Sequence, residues 1–308
     1  MLDFDTGSSD LWVWSTELPS ATTSQATGHK IFDPTKSSTF KKTSETWKIS
    51  YGDSSSASGN VGTDVVSVGG LKITEQAVEL ANTISAQFQQ DTADGLLGLA
   101  WGSINTVTPT PVKTPVDNMI AQKDITGDME LFTAKLGSWR DAAEADKGES
   151  FYTFGFIDQA TVKASGMEPV YTPIDNSQGF WTFDSASFSV NGTKTTQSGN
   201  TAIADTGTTL ALVSDAMCKA IYAAIPGSKY DDQQQGYIFP TATTADQLPV
   251  VQVAVGGHMF TINKEDMAFA DAGTGMVYGG IQSRGTMTFD ILGDTFLKSI
   301  YAVSASVT

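Results

Sequence analysis

The chain has 308 residues, with 34 acidic against 18 basic side chains, a formal net charge of −16, and 40% hydrophobic residues, enough for packed cores and too many for a disordered chain. Two histidines and one cysteine exclude a cysteine-rich zinc site or a disulfide within the chain, and neither histidine has a G-x-S-x-G nucleophile elbow to serve. The acid excess repels nucleic-acid backbones, and there is no basic run for an anionic membrane surface and no apolar run of about 18 residues for a membrane helix, so neither nucleic acid nor membrane is an expected partner.

Short apolar alternations broken by Gly, Ser, Thr and Asn predict a mostly β chain. The opening Met1-Leu2-Asp3-Phe4-Asp5 has neither the basic start nor the apolar core of a signal peptide. His29 reads as a surface or turn position with no role. Residues Val65 to Ile73 predict a hairpin turning at Gly69-Gly70. A short helix is predicted from Pro115 through Met119 and Ile120. The charged run from Arg140 to Ser150 predicts a surface connection that divides the chain into 1–148 and 149–308; a long hairpin loop within one domain would fit the same run.

Further along, Phe180–Phe183 and Ser187–Val190 predict strands, and Asn191-Gly192-Thr193 is an acceptor pattern for N-glycosylation, meaningful only in a secreted chain. A helix is predicted over Asp215–Ile225, with Ser214 as N-cap, Pro226 as terminator, and Met217, Ala220, Ile221, Ala224 and Ile225 on one face. Cys218, beside that stripe, reads as an inert small hydrophobe. Val250–Ile262 predicts a second hairpin turning at Gly256-Gly257, and His258, like His29, reads as a surface or turn position with no role.

One internal repeat outweighs these elements. Asp5-Thr6-Gly7-Ser8-Ser9 recurs as Asp205-Thr206-Gly207-Thr208-Thr209, each copy between apolar residues. Each has a companion downstream, Leu96-Leu97-Gly98 and Ile291-Leu292-Gly293. A strand that runs into Asp-Thr-Gly can hold a carboxylate, because the glycine permits a sharp turn and close backbone approach. The Ser8 and Thr208 hydroxyls can donate to that carboxylate, and Thr6 and Thr206 can bond to the opposite turn. Two such carboxylates brought together hold one proton between them in acid. The pair can then activate a water and protonate a carbonyl oxygen without histidine, thiol, metal or cofactor. Taken singly, each turn reads as ordinary surface-turn chemistry; the matched duplication reverses that.

These residues resemble the pepsin-like aspartic proteases, most closely their secreted fungal branch. Asp5 to Val13 is similar to the first active-site motif, and Ile31-Phe32-Asp33-Pro34 with Lys36 to Phe40 to the stretch after it. Asp94 to Leu99 and Phe289 to Asp294 are similar to the loops that back the two aspartates. Tyr171-Thr172-Pro173 with Asp175 to Trp181 resembles a run of the fungal branch. The resemblance implies an all-β, bilobal fold with pseudo-two-fold symmetry and a cleft between lobes. It implies Asp5 and Asp205 as the catalytic pair, polypeptide substrates, inhibition by pepstatin-type compounds, a monomer and an extracellular location.

Ile49-Ser50-Tyr51-Gly52-Asp53 is similar to the family's flap, a hairpin that closes over substrate. Tyr51 is then the flap tyrosine, and Trp12 the indole whose N–H reaches its hydroxyl. Asp53 after Gly52 is associated in fungal relatives with acceptance of lysine at P1 beside large apolar residues; a polar loop tip is the plainer reading. Leu96 lines the same pocket by resemblance, and is equally expected from core packing.

Some features depart from the family pattern. The resemblance implies further residues before the first aspartate, whereas Asp5 stands fifth here. The strands that join the lobes are therefore expected to be incomplete at both ends, which leaves room for an inactive fragment. Thr241 and Val277 stand where many relatives carry a disulfide. Ser54 stands where the flap often has glycine. Two further readings stay open. A non-catalytic binding protein on the same fold usually loses an aspartate or the flap tyrosine, and a two-carboxylate glycosidase needs no duplicated turns.

Overall fold

The computed structural model describes residues 1–138 and 148–306, so most of the predicted 140–150 connection lies outside the described residues. By packing, the chain divides into two compact units. One comprises Met1–Glu130 with Asn176–Phe180, and the other Leu131–Asp175 with Trp181–Ser306.

The first unit is built on one six-stranded sheet. Its strands are β1 (Asp3–Asp5), β2 (Leu11–Trp14), β3 (Lys41–Ser50), β4 (Ser56–Val68), β5 (Leu71–Ile84) and β6 (Gly95–Gly98), in the spatial order β1-β6-β2-β5-β4-β3. The predicted hairpin is the β4–β5 pair, and Gly69 and Gly70 both take positive φ, 56° and 86°, as a two-residue turn matched to strand twist requires. Trp12, Trp14, Trp47, Val61 and Ala81 pack between strand faces as the core. The helix Pro115–Ala121 forms as predicted: Thr114 accepts from the Asp117 amide, the Asp117 carboxylate accepts from the Thr114 amide, and Pro115 occupies the first turn.

His29 departs from the surface expectation. Its side chain is 5% exposed, it stacks on Trp14 with ring centroids 4.0 Å apart, and its Nδ1 lies 3.3 Å from Asp94 Oδ1. The contacts come from residues distant in sequence, so the local sequence does not announce them. The segment Asn176–Phe180 is also held within this unit. The Trp101 amide donates to the Gly179 carbonyl at 3.1 Å, and Gly179, at φ 82°, lies so close to Ile104 that a Cβ would come within 2.3 Å of it.

The second unit contains β7 (Leu131–Lys135), β8 (Phe151–Phe154), β9 (Thr182–Asp184), β10 (Ser187–Val190), β11 (Thr193–Thr196), β12 (Thr201–Ala204), β13 (Ala211–Val213), β14 (Lys229–Asp231), β15 (Gly236–Pro240) and β16 (Val251–Val255). It continues with β17 (His258–Thr261), β18 (Ala268–Gly273), β19 (Met276–Gly279), β20 (Ile281–Ser283), β21 (Asp290–Leu292) and β22 (Tyr301–Ala305). The five-stranded sheet β20-β13-β21-β12-β9 carries the second Asp-Thr-Gly, and the three-stranded sheet β22-β7-β8 draws β7 into this unit. Packing therefore changes over at Glu130/Leu131, ahead of the 148/149 boundary drawn from charge patterning.

The predicted hairpin at Gly256-Gly257 is β16–β17, and exposed Asn191 sits at the tip of β10–β11. The helix Asp215–Ala223 is capped by Ser214, whose Oγ accepts from the Met217 amide at 3.3 Å. The predicted stripe faces the core: Met217, Ile221 and Ile225 are buried and Ala220 and Ala224 pack against them, while Cys218 and Tyr222 widen the buried face beyond it. Burial pushes the Cys218 thiol up to about 12, as suits an inert core residue.

The duplication seen in the sequence extends to topology. In the first unit β6 runs parallel to β1 and antiparallel to β2, and β2 pairs in parallel with β5. In the second, β21 runs parallel to β12 and antiparallel to β13, and β13 pairs in parallel with β20.

Candidate active site

β1 ends at Asp5, whose side chain is buried in the turn that follows. The Gly7 amide donates to Asp5 Oδ1 at 2.7 Å and the Ser8 hydroxyl to Oδ2 at 2.5 Å. β6 and the residues after it back the turn. The Gly98, Leu99 and Ala100 amides donate to the Asp10, Asp5 and Ser8 carbonyls at 2.9, 2.7 and 2.9 Å. This proximity explains Gly98: a Cβ there would stand 2.5 Å from Ser9 backbone atoms and 2.6 Å from the Asp10 nitrogen.

The second unit repeats the construction. The Gly207 amide donates to Asp205 Oδ1 at 2.9 Å and the Thr208 hydroxyl to Oδ2 at 2.7 Å. The Asp294 and Thr295 amides donate to the Thr208 and Thr209 carbonyls, and a Cβ on Gly293 would fall 2.0 Å from the Thr208 oxygen. Thr6 is buried and Thr206 half-buried, each beside its aspartate. Each turn therefore fixes its carboxylate by a glycine amide on one oxygen and a hydroxyl on the other.

The segment that resembles a flap is a hairpin within the first unit. The tip between β3 and β4 is closed by Tyr51 and Ser54: the Tyr51 amide donates to the Ser55 carbonyl at 2.9 Å and the Ser54 amide to the Tyr51 carbonyl at 3.0 Å. Ser54 takes φ 67°, so the position does require the left-handed conformation that glycine meets at lower cost. Asp53 is exposed, and its Oδ1 accepts from the Ser55 amide at 2.9 Å. Gly52 is exposed beside it, with open space around its Cα. At the root, the Trp12 indole N–H donates to the Tyr51 hydroxyl at 2.8 Å. Burial, ahead of the nearby carboxylates, pushes the Tyr51 phenol above its ordinary value, so it stays a neutral donor. Leu96 is buried in the core that contains Trp12.

Other residues join these turns without having been singled out by sequence. Phe88 stands edge-on to Trp12 and Tyr51, with ring centroids 4.8 and 5.5 Å away. Beneath the first turn lie Asp10, Glu79, Asn105 and Thr106; the Asn105 side-chain amide donates to the Ser9 carbonyl and to Glu79 Oε1, both at 3.2 Å. Beside the second, Arg284 Nη1 donates to Asp290 Oδ1 and Asn200 Oδ1, both at 2.7 Å, and Asn200 donates to Asp290 Oδ2 at 2.7 Å. Asp290 opens β21, the strand that backs the second turn. Buried acids in strands leave no periodic signal.

Residues 1–305 match the family described as eukaryotic aspartyl protease. The chain belongs to the pepsin-like aspartic protease family. Fungal enzymes are among its relatives. It is 45% identical to aspergillopepsin-1 of Aspergillus oryzae over 98% of this chain and 72% of that protein. It is 44% identical to penicillopepsin-1 of Penicillium janthinellum, covering 98% of this chain and 87% of that protein. Among solved structures, the aspartic proteinase from Irpex lacteus superposes with a TM-score of 0.74 at 25% identity, covering 99% of this chain and 87% of the other. The fold is mostly β and pepsin-like, and the chain is an aspartic-type endopeptidase whose substrates are peptides.

Proposed function

We propose that Asp5 and Asp205 together form the catalytic dyad. One carboxylate takes a proton from a bound water while the other carboxyl protonates the peptide carbonyl oxygen, so hydrolysis is direct, with no acyl-enzyme. The support is the identical donor pattern: a glycine amide on Oδ1 and a hydroxyl on Oδ2 in each half. Thr6, Gly7, Ser8, Thr206, Gly207 and Thr208 hold the two carboxylates in place. Tyr51 and Trp12 anchor the flap, which orients peptide and excludes water on closing. Both aspartates and Tyr51 are present, which favours catalysis over a binding protein on the same fold.

Digestion of a denatured protein at about pH 3 to 5, with and without pepstatin, tests this reading. Asp205→Asn is expected to abolish cleavage at any pH; cutting at the parent rate by that variant refutes the dyad.

For specificity, large apolar residues and lysine are proposed at P1, with the exposed Asp53 carboxylate meeting the lysine ammonium and Leu96 contributing apolar wall. Asp53→Ser is expected to lower kcat/KM for a Lys-P1 peptide selectively; equal loss on a Phe-P1 peptide refutes that role. An extracellular monomer completes the proposal, in keeping with the fungal relatives and the acidic surface.

A further inference from the structure

Glu79 lies on β5 opposite Trp12 of β2, and Asp10 closes the turn that carries Asp5. Both residues are sealed from solvent, at 1% and 0% exposure. Asp10 Oδ1 accepts from the Thr106 amide at 3.1 Å and the Thr106 hydroxyl at 2.6 Å, and Glu79 Oε1 accepts from Asn105. Asp10 Oδ2 and Glu79 Oε2 take no hydrogen from any amide, hydroxyl or cation among the described residues. Adjacent Asn105 and Thr106 hold the two carboxyls side by side, and each is left with one buried oxygen to offer the other. Two carboxylate oxygens can bond only if one of them carries a proton.

We propose that Asp10 and Glu79 are a second carboxyl pair, holding one proton, that positions the first active-site turn and releases it as pH rises. Asn105 is the link. Its amide bridges Glu79 to the Ser9 carbonyl, and its Oδ1 accepts from the Val107 and Val112 amides, so it is fixed on both sides. Movement of Glu79 is therefore passed to the backbone between Ser8 and Asp10.

The titratable groups facing this pair are few. Tyr51, after β3, feels both carboxyls and Asp5, and it is neutral throughout. Asn105 and Thr106 are uncharged. No lysine, arginine or histidine among the described residues acts on either carboxyl. Burial, first in order, holds both above the ordinary carboxylate range, and for Glu79 the Asp10 charge adds to it. A carboxyl with a raised folded-state pKa gives stability that is complete below the unfolded value, about 4, and is lost as pH climbs through the folded one. The pair is thus intact in acid and pulls the turn apart toward neutrality, when departure of the shared proton leaves two buried like charges.

The effect on catalysis rests on the assignment of Asp5; the titration itself does not. The test uses the full chain carrying Asp205→Asn, which under that assignment prevents self-digestion, and follows thermal midpoint against pH. Glu79→Gln keeps an acceptor toward Asn105 and a donor toward Asp10 but has no proton to lose. The fall in midpoint between about pH 4 and about pH 7 is expected to shrink to roughly half or less. An unchanged fall overturns the proposal. Infrared spectroscopy of the unaltered pair supplies a measurement that needs no variant at Glu79: a protonated-carboxyl band that outlasts the ordinary carboxylate titration is expected, and its absence also overturns the proposal. If these results hold while Asp205→Asn still cleaves peptides, the dyad reading fails and the buried pair stands.

Discussion

Replacing Gly98 by alanine tests how the first Asp-Thr-Gly turn is held. The new Cβ would lie 2.5 Å from Ser9 backbone atoms and 2.6 Å from the Asp10 nitrogen, and backbone cannot swing aside as a long side chain can. To reach ordinary contact the turn and β6 must part by about 1 Å, since carbon atoms settle near 3.5 to 4.0 Å. That separation strikes the three amide-to-carbonyl bonds from Gly98, Leu99 and Ala100 to the turn. At about 1 kcal/mol for each bond exchanged, and up to about 3 for a group left buried without a partner, the loss is about 3 kcal/mol or more. Gly257→Ala serves as control, because its Cβ would meet nothing within 4 Å; its effect should stay within about 1 kcal/mol. Urea unfolding of both variants in an Asp205→Asn background measures the difference. In the active chain, a shift of this size at Asp5 is expected to lower kcat/KM by about 100-fold. If Gly98→Ala unfolds with the control and cleaves at the parent rate, the close approach is not what requires glycine.

Arg284→Met should destabilise the second unit by about 3 to 5 kcal/mol in urea unfolding, because it strands the fully buried Asp290 carboxylate, and Asp290→Asn in the same chain should recover much of the loss. Ser54→Gly should raise stability by about 0.5 kcal/mol, the relief of φ 67° slightly exceeding the added chain entropy of glycine, and a drop in thermal midpoint would show that the tip is not strained. Trp12→Phe removes the indole donor to Tyr51 and should lower kcat/KM more than it lowers stability, whereas a Tyr51→Phe chain should lose nothing further from it in a double-mutant cycle.

The parts of the site that can be read from the sequence are those carried by local chemistry. The Asp-Thr-Gly repeat, its glycine companions and the Gly69-Gly70 and Gly256-Gly257 turns each need particular residues at adjacent positions, and all four strands flanking the two hairpin turns form as expected. The donors Ser8 and Thr208, and the Trp12 to Tyr51 bond, also sit where the motifs predict. Glu79 is not legible because Gln76 through Ala81 are buried on both faces of β5, so strand alternation gives no inward or outward reading there. His29 escapes a sequence reading for a related reason: its cover comes from Trp14 and Asp94, set by sheet pairing rather than by neighbours in sequence. The stripe of the Asp215–Ala223 helix faces the core as its periodicity predicts, but the burial of Tyr222 beside it is not legible, because it comes with a bond from its hydroxyl to the distant Ile281 carbonyl at 2.5 Å.

Gly179, bound through its carbonyl to Trp101, has a consequence for anyone wishing to dissect the gene. The five residues from Asn176 to Phe180 pack with the first unit although the chain on either side belongs to the second. A single cut after Glu130 would thus yield one fragment lacking its strap, with the Trp101 amide deprived of its acceptor and Ile104 of its cover, and another trailing a loop with no bed to lie in. Independent halves of this enzyme require transplanting that pentapeptide, and simple scission will not produce them.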